Sequence, residues 1–405
     1  MTRTDQPVRR RTTPKGKVLI SGASIAGPAL AYWLNRHGYA VTVVEKAGTI
    51  RSGGYPIDIR GTALDVVERM GLLPQLRDAH IDLRRITFLE GDGSEVTSLH
   101  PHAVTGGVAG HDLEVRRGDL TDALYTAVRD DVEFLFNDSV DSLEQTTDGI
   151  DVTFRGGGSR RFDMVFGADG MHSRTREMVF GPEDQFHRHL GYCFAIFTMR
   201  NALGLSHETV MWNAPGRAAA VYAVSDDDEV HAFLNFAQRD LPSGMFGDRE
   251  AQQRLLTETF ADAGWEIPSI LAALREADDV FFDAVGQIRM PQWSRARVAL
   301  VGDAAYAPSF LTGQGTSLAL VGAYMLAGSL AERDHAAGFA AYEHATRAFV
   351  TLNQNLVGKG GATLFPTTAQ ALEERNDRLR KLSALPSPEP RPAHSALALP
   401  DFDDL

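Results

Sequence analysis

Lys17 to Ser21 is a short β-branched run that stops at Gly22, and five residues later comes Gly27, followed by the helix-like stretch Pro28 to His37. A strand that turns this sharply into a helix fits a small set of folds. Gly22 allows the tight turn, and Gly27 lets the helix pack close to the strand. The helix start then offers free N–H groups and the positive end of its dipole to a pyrophosphate. The segment between them is Ala23-Ser24-Ile25-Ala26, so the middle position usually held by glycine is Ser24. Its Cβ limits how closely backbone and phosphate approach, while its hydroxyl adds a donor.

Ala40 to Val44 reads as the next strand, completing the first half of a doubly wound parallel sheet. Glu45 ends that strand, 23 positions after Gly22, where a carboxylate can accept hydrogen bonds from both hydroxyls of an adenosine ribose. Lys46 follows it. Two further strand-to-turn segments complete the pattern. Asp163 to Gly170 is an apolar strand ending in Gly-Ala-Asp-Gly, with Asp169 exposed at its end and Ser173 placed to cap a helix. Arg297 to Asp303 is a buried strand that delivers the Asp303 carboxylate after Gly302, where it can accept bonds from a polyol. Pro308 shapes the loop that follows, and Gly313-Gln314-Gly315 leads into a long apolar helix from Thr316 to Glu332.

The intervening chain has a different period. Tyr192 to Met199, Thr209 to Asn213, Ala218 to Val224 and Val230 to Phe236 read as antiparallel strands separated by turns, and Gln252 to Ala263 and Ile270 to Glu276 read as helices beside them. The fold class is therefore α/β: a Rossmann-like nucleotide domain with an inserted antiparallel-sheet domain and a C-terminal helical region. The boundaries expected are 16–72, 101–180 and 286–335 for the nucleotide domain, 73–100 and 181–285 for the inserted domain, and 336–383 for the C-terminal helices. Residues 1–15 read as a disordered arm, and 384–405, rich in proline and alanine, as a disordered tail.

Composition excludes several classes. A chain of 405 residues can bury a large core. A formal net charge of −13 argues against nucleic acid as a partner. The single cysteine, Cys193, lies in the apolar run Tyr192 to Phe197 and reads as a buried thiol. No run is long and apolar enough to span a membrane, so a cytoplasmic protein is the expectation. No spacing suggests a metal site, and nothing sets the oligomeric state.

In order and spacing, the three motifs resemble the FAD-binding set of the single-component flavoprotein aromatic hydroxylases, which include para-hydroxybenzoate hydroxylase and the tetracycline-modifying monooxygenases. The resemblance spans roughly residues 17 to 335. It implies non-covalent FAD held by Gly22, Ser24, Ile25, Ala26, Gly27, Glu45, Lys46, Arg117, Asp169, Gly302, Asp303, Pro308, Gly313, Gln314, Gly315 and Thr316. Arg117 matches the family's Arg-x-Asp-Leu step near flavin and pyrophosphate. It also implies NAD(P)H and O2 as co-substrates and hydroxylation of an aromatic or polyketide-like small molecule through a flavin hydroperoxide.

No side chain is expected to be catalytic in its own right, because the cofactor carries the chemistry. Phe197, Met211, Tyr222, His231 and Phe233 are the substrate candidates. Three positions depart from the commonest family pattern: Tyr306 stands where histidine is usual, Thr316 where a small residue or asparagine is usual, and Gly322 where an aspartate is frequent. Two other readings remain open: a flavoenzyme of this fold that oxidises or cyclises without inserting oxygen, and a flavin- or ligand-binding protein without turnover.

Overall fold

The computed structural model describes residues 13–50, 54–105, 111–240, 247–358, 364–382 and 391–402. Along the chain, β1 (Lys17–Ser21) leads through the glycine turn to α1 (Ala26–Arg36) and β2 (Ala40–Glu45). Next come β3 (Pro56–Ile59), α2 (Thr62–Arg69), α3 (Leu73–Asp78), β4 (Arg85–Leu89), β5 (Glu95–Leu99) and the short α4 (Pro101–Thr105). After β6 (Leu113–Arg116), α5 (Arg117–Thr126) and β7 (Glu133–Phe136), the antiparallel strands β8 (Val140–Gln145), β9 (Ile150–Phe154) and β10 (Ser159–Phe162) precede β11 (Met164–Gly167) and α6 (Arg174–Phe180).

The inserted domain holds β12 (His187–Arg200), β13 (Glu208–Ala214), β14 (Arg217–Ala223), β15 (Glu229–Ala237), α7 (Arg249–Thr259), α8 (Ile267–Glu276) and β16 (Phe281–Ile288). The chain then returns through β17 (Ser294–Arg295), β18 (Val298–Leu300), α9 (Asp303–Tyr306) and α10 (Gly315–Ser329), and ends in α11 (His335–Gln354) and α12 (Ala369–Leu382).

The nucleotide sheet has the order β17-β18-β11-β1-β2-β7. Ser21 pairs with Val44 on one side and Gly167 on the other, and Gly167 pairs with Leu300. All three motif strands thus end at one level, and the turns that follow stand side by side at the carboxyl edge, where doubly wound sheets bind ligands. Alternation divides the strands between two cores. Val18, Ile20 and Phe166 face α1 and α10, while Leu19 and Val165 pack on Ile150, Val152 and Phe162 of the three-stranded sheet. α1 starts at Ala26 rather than Pro28. Pro28 falls in its first turn, where a missing N–H is harmless, and Ala29, Leu30, Trp33 and Leu34 are buried as their spacing predicts. α10 stops at Ser329 and is buried along nearly its whole length, which explains an apolar composition with no polar face.

The second sheet has the order β16-β12-β15-β14-β13-β4-β5. One face, with Cys193, Ala195, Phe197, Ala219, Val221, Ala232 and Leu234, packs against α7 and α8. The other face looks toward the nucleotide domain.

Three expectations need correction. Leu73–Asp78 belongs with the nucleotide domain rather than the inserted one, since Leu73 and Leu76 join its core and α3 packs on α2, α5 and β6. Within the expected tail, residues 391–402 are ordered. Thr62 Oγ1 donates to Leu397 O at 2.8 Å, Asn353 Nδ2 donates to Ala393 O at 2.9 Å, and Phe402 is buried on Tyr324 and over Gly328. Pro392 opens a short turn packed on α11, and Pro400 O accepts from Tyr324 OH at 2.6 Å. The expected N-terminal arm lies outside the described residues up to residue 12, but Lys15 is fixed, its Nζ donating to Ala331 O at 2.7 Å.

Candidate functional site

The first turn is built so tightly that its glycines have no substitute. Gly22 has φ +105°, and a Cβ there would lie 2.5 Å from Ala168 O, on the neighbouring motif. A Cβ on Gly27 would lie 1.9 Å from Gly22 O. Glu45 braces the turn: Oε2 accepts from Ala23 N–H at 2.8 Å and Oε1 from Ala47 N–H at 2.9 Å. Each oxygen keeps a lone pair for a ribose hydroxyl. Lys46 is exposed at the same edge, while Ile25 and Ala26 are buried at the start of α1. Ser24 Oγ accepts from Arg117 Nη2 at 2.7 Å. The hydroxyl that replaces the usual middle glycine thereby anchors the arginine that opens α5.

The third motif meets the first directly. Gly302 has φ +65°, and a Cβ there would lie 2.9 Å from Ala26 Cβ. Asp303 follows, deep in the protein with only a narrow opening. Burial pushes its carboxyl up to about 6, opposed by the nearby Arg117 cation. An isolated carboxylate in that position is unfavourable until donors reach it. Pro308 O accepts from Gln287 Nε2 at 2.9 Å, which fixes the loop, and Ser309 takes φ +76°. Gly313, Gln314, Gly315 and Thr316 then form the start of α10. Gln314 provides no side-chain cap, and its own Oε1 is buried without a partner.

Uncapped N–H groups, an orphan amide oxygen and an isolated carboxyl within one cleft fit the amide edge of an isoalloxazine and the hydroxyls of a ribityl chain. FAD therefore suits the residues present.

Asp169 ties its own turn together. Its Oδ1 accepts from Ser173 Oγ, and its Oδ2 accepts from Thr175 N–H and Thr175 Oγ1, both at 2.9 Å. Both oxygens hold the start of α6, so this carboxylate supports the turn beside the cofactor edge. His172 stands next to it, with Nδ1 2.8 Å from Glu183 and Nε2 3.2 Å from Asp283. Those hydrogen bonds raise it to about 10, so it is a cation at neutral pH. A cavity of about 250 Å³ opens against His172, Glu183, His187 and Phe281.

Two of the family departures explain each other. A Cβ on Gly322 would lie 1.8 Å from the Tyr306 hydroxyl, so the tyrosine occupies the space that a side chain at 322 would fill. Tyr306 OH meets Tyr342 OH at 2.9 Å, and Tyr342 OH donates to Leu300 O at 3.2 Å.

Between the loop that leads into α10 and the open face of the second sheet lies a cluster of aromatic rings. Phe233 sits 5.5 Å from Phe194, 5.4 Å from Phe310 and 6.3 Å from Phe365, centroid to centroid. Phe310 belongs to the loop before α10 and is 39% exposed, as is Tyr55, whose phenol is influenced by both Arg117 and Asp303.

Strand parity places Phe233, Tyr222, His231 and Met211 on this open face. Met211 is buried beneath it against Phe88, and burial holds His231 below the usual imidazole range. Phe197 does not belong here. It is 1% exposed on the opposite face, under α8, because its position is odd where Phe194 and Ile196 are even. Cys193 lies on that same hidden face, and burial pushes its thiol up to about 12, so it is no nucleophile. Sequence reading missed Tyr55, Asp58, Glu114, Phe310 and Phe365. The one available signal was the polar–apolar alternation of Leu113-Glu114-Val115-Arg116.

Fold and site together define an FAD-binding flavoenzyme. Residues 15–354 match the family described as FAD binding domain. An uncharacterized Mycobacterium tuberculosis protein (strain ATCC 25618 / H37Rv) is 45% identical over 353 residues, which cover 86% of this chain and 95% of that one. A flavin-dependent monooxygenase from an unknown prokaryotic organism is 40% identical over 367 residues, covering 89% and 94%. Among solved structures, tetracycline destructase Tet(55) matches with a TM-score of 0.82 at 36% identity, covering 95% of this chain and 98% of that one. The chain belongs to the FAD-dependent monooxygenases of the flavoprotein aromatic hydroxylase type.

Proposed function

We propose that this enzyme uses NAD(P)H and O2 to hydroxylate a flat aromatic or polyketide-like molecule held against the aromatic cluster beside Phe310. The observation that carries this reading is the juxtaposition of that cluster with the uncapped start of α10. When bound, FAD supplies the redox chemistry: it accepts a hydride from NAD(P)H and activates O2 for transfer of one oxygen atom. The chain's own residues bind, orient and exclude water.

The glycine turn and the start of α1 would take the pyrophosphate, with Arg117 beside it. Glu45 would take the adenosine ribose, and its charge disfavours a 2′-phosphate at that place. Asp303 would accept from the ribityl hydroxyls, and the first-turn N–H groups of α10 would meet the electron-rich edge of the ring and stabilise negative charge there. Phe194, Phe233, Phe310 and Phe365 orient a planar substrate and keep the site dry.

NAD(P)H would approach the flavin from the surface, since no second glycine-rich strand–helix unit occurs in the sequence. The name of Tet(55) makes tetracycline a rational first probe. Steady NAD(P)H oxidation that rises on adding tetracycline or a simpler phenol supports the proposal. A holoenzyme that never oxidises NAD(P)H contradicts it.

A further inference from the structure

Beside the aromatic cluster stands a polar ribbon whose carboxylates are not among the residues assigned above to the cofactor. β3 and β6 form a two-stranded ribbon in which Asp58 pairs directly with Glu114. Alternation gives it one apolar face, with Ile59, Leu113 and Val115 in the nucleotide core, and one polar face carrying Asp58, Glu114 and Arg116. That polar face spans the cleft. At one end, a Cβ on Gly313 would lie 2.9 Å from Asp58 Oδ2, next to the start of α10. At the other, Arg116 Nη2 donates to Asp227 at 3.1 Å beyond β14.

Between these ends, Tyr222 OH reaches from the open face of the second sheet and donates to Glu114 Oε1. Glu114 is held from behind, its N–H donating to His80 Nδ1 at 3.2 Å and its carbonyl accepting from Ile81 N–H at 2.8 Å. Asp58 is neutralised by Arg60 at 2.6 Å, so Glu114 has no ion-pair partner of its own among the described residues. There its second oxygen, Oε2, also has no hydrogen-bond partner, and it is not among the fully enclosed orphan atoms. A carboxylate with one oxygen tied to a phenol and the other not fully enclosed is an acceptor waiting for a donor.

We propose that Glu114 selects substrates that carry an acidic hydroxyl, a phenol or an enol, by accepting that hydroxyl's hydrogen bond on Oε2, the oxygen that Tyr222 leaves free. This rests on the aromatic-substrate reading above and specifies which aromatics. Tyr222 lies one register step from the Phe233 cluster, because its strand partner is His231 and Phe233 is two residues further along β15. A flat molecule stacked on Phe233 thus brings a ring substituent to Glu114. An O-methyl ether of the same molecule offers no donor and leaves the carboxylate desolvated and unpartnered, the arrangement by which sites built for a hydroxyl reject its analogues.

The groups around Glu114 are Asp58 beside it in the ribbon, Arg60 just past the end of β3, Arg116 on its own strand, His80 behind it, and Tyr222 from the sheet. Burial first, and the Asp58 charge second, push Glu114 up to about 7. Its charge, which makes it a strong acceptor, is therefore lost as pH falls through neutrality.

The test is equilibrium binding of 1-naphthol and 1-methoxynaphthalene to the FAD-loaded protein, read from perturbation of the flavin absorption, roughly one pH unit above and one below the Glu114 value. Wild type should bind naphthol about tenfold or more tightly than the ether at the higher pH, with the preference shrinking at the lower pH. Glu114→Gln should reduce the preference to about twofold and remove its pH dependence while FAD content stays unchanged; Tyr222→Phe, which frees Oε1, should keep the preference. A wild type with no preference for naphthol, including one that binds neither probe, overturns the proposal, as does a preference independent of pH or intact in Glu114→Gln. If Glu114→Gln does not fold, the wild-type pH profile decides. Because no turnover is needed, this result stands apart from whether the enzyme hydroxylates anything.

Discussion

Gly322→Ala should destabilise the enzyme, although the same change inside an ordinary helix stabilises by about 1 kcal/mol. The site lies mid-way along α10, and the new methyl would fall 1.8 Å from the Tyr306 hydroxyl and 3.0 Å from its Cζ. Relief requires moving the phenol by roughly 1.5 Å to reach ordinary contact. Tyr306 cannot yield easily: it is 1% exposed, lies 4.7 Å from the Trp293 ring, and shares a hydrogen bond with the fully buried Tyr342. Overpacking of this kind costs about 1–3 kcal/mol, and breaking the buried hydroxyl pair adds about 1–3 more. Set against the helix gain, the net loss should be about 1–5 kcal/mol. Thermal release of FAD, followed by flavin fluorescence, and urea unfolding of the same preparations measure it. Tyr306→Phe removes the clashing oxygen, so Gly322→Ala combined with Tyr306→Phe should be at least about 1 kcal/mol more stable than the sum of the single effects. A Gly322→Ala protein as stable as wild type, or an additive double variant, would refute the account of how α9 and α10 are held together.

Asp303→Asn should act in opposite directions on the two forms of the protein. Burial raises the Asp303 carboxyl from 3.8 to about 6, so the folded apoprotein binds a proton that the unfolded chain releases, and stability falls as pH rises between those values. Above about 6, the amide should stabilise the apoprotein by at most about 3 kcal/mol, while FAD affinity falls by tenfold or more, and by more than in Glu45→Ala; calorimetry of apoprotein and FAD titration check both. Phe197→Ala should cost about 3–5 kcal/mol of stability as a core cavity and leave substrate KM unchanged once folded protein is counted. Phe233→Ala should instead raise KM and uncoupled peroxide release with FAD content near wild type. Removing the segment from residue 391 onward should lower the melting temperature, since Phe402 and Leu397 cover α10 and α2; an unchanged melting curve would count against the ordered tail.

Backbone demands were legible in the sequence, and side-chain meetings were not. Gly22, Gly27 and Gly302 announce themselves because no other residue fits where a Cβ would strike backbone or a neighbouring helix, and their strands share a period and composition that place them in one sheet. Asp303 was readable for the same reason: a carboxylate at the end of a buried strand needs a purpose. Phe197 was misplaced because an aromatic run does not say which parity faces the helices; only the register against β15 and β16 decides it. Glu114 and Asp58 went unseen because their ribbon is two four-residue strands separated by more than fifty residues, and no local pattern announces that pairing. The tail was misread because proline content was taken for disorder, although Phe402, Leu397 and Leu399 carried the apolar anchors that hold it.

The most direct test of the central claim is the mass of the product formed from a phenolic probe such as tetracycline under 18O2, with NADPH or NADH supplied to the FAD-loaded enzyme. The account predicts a hydroxylated product carrying one 18O atom, formed in step with NAD(P)H consumption. A product that is oxidised or cyclised but free of 18O, or NAD(P)H consumption that yields only peroxide with every phenol tried, would contradict it.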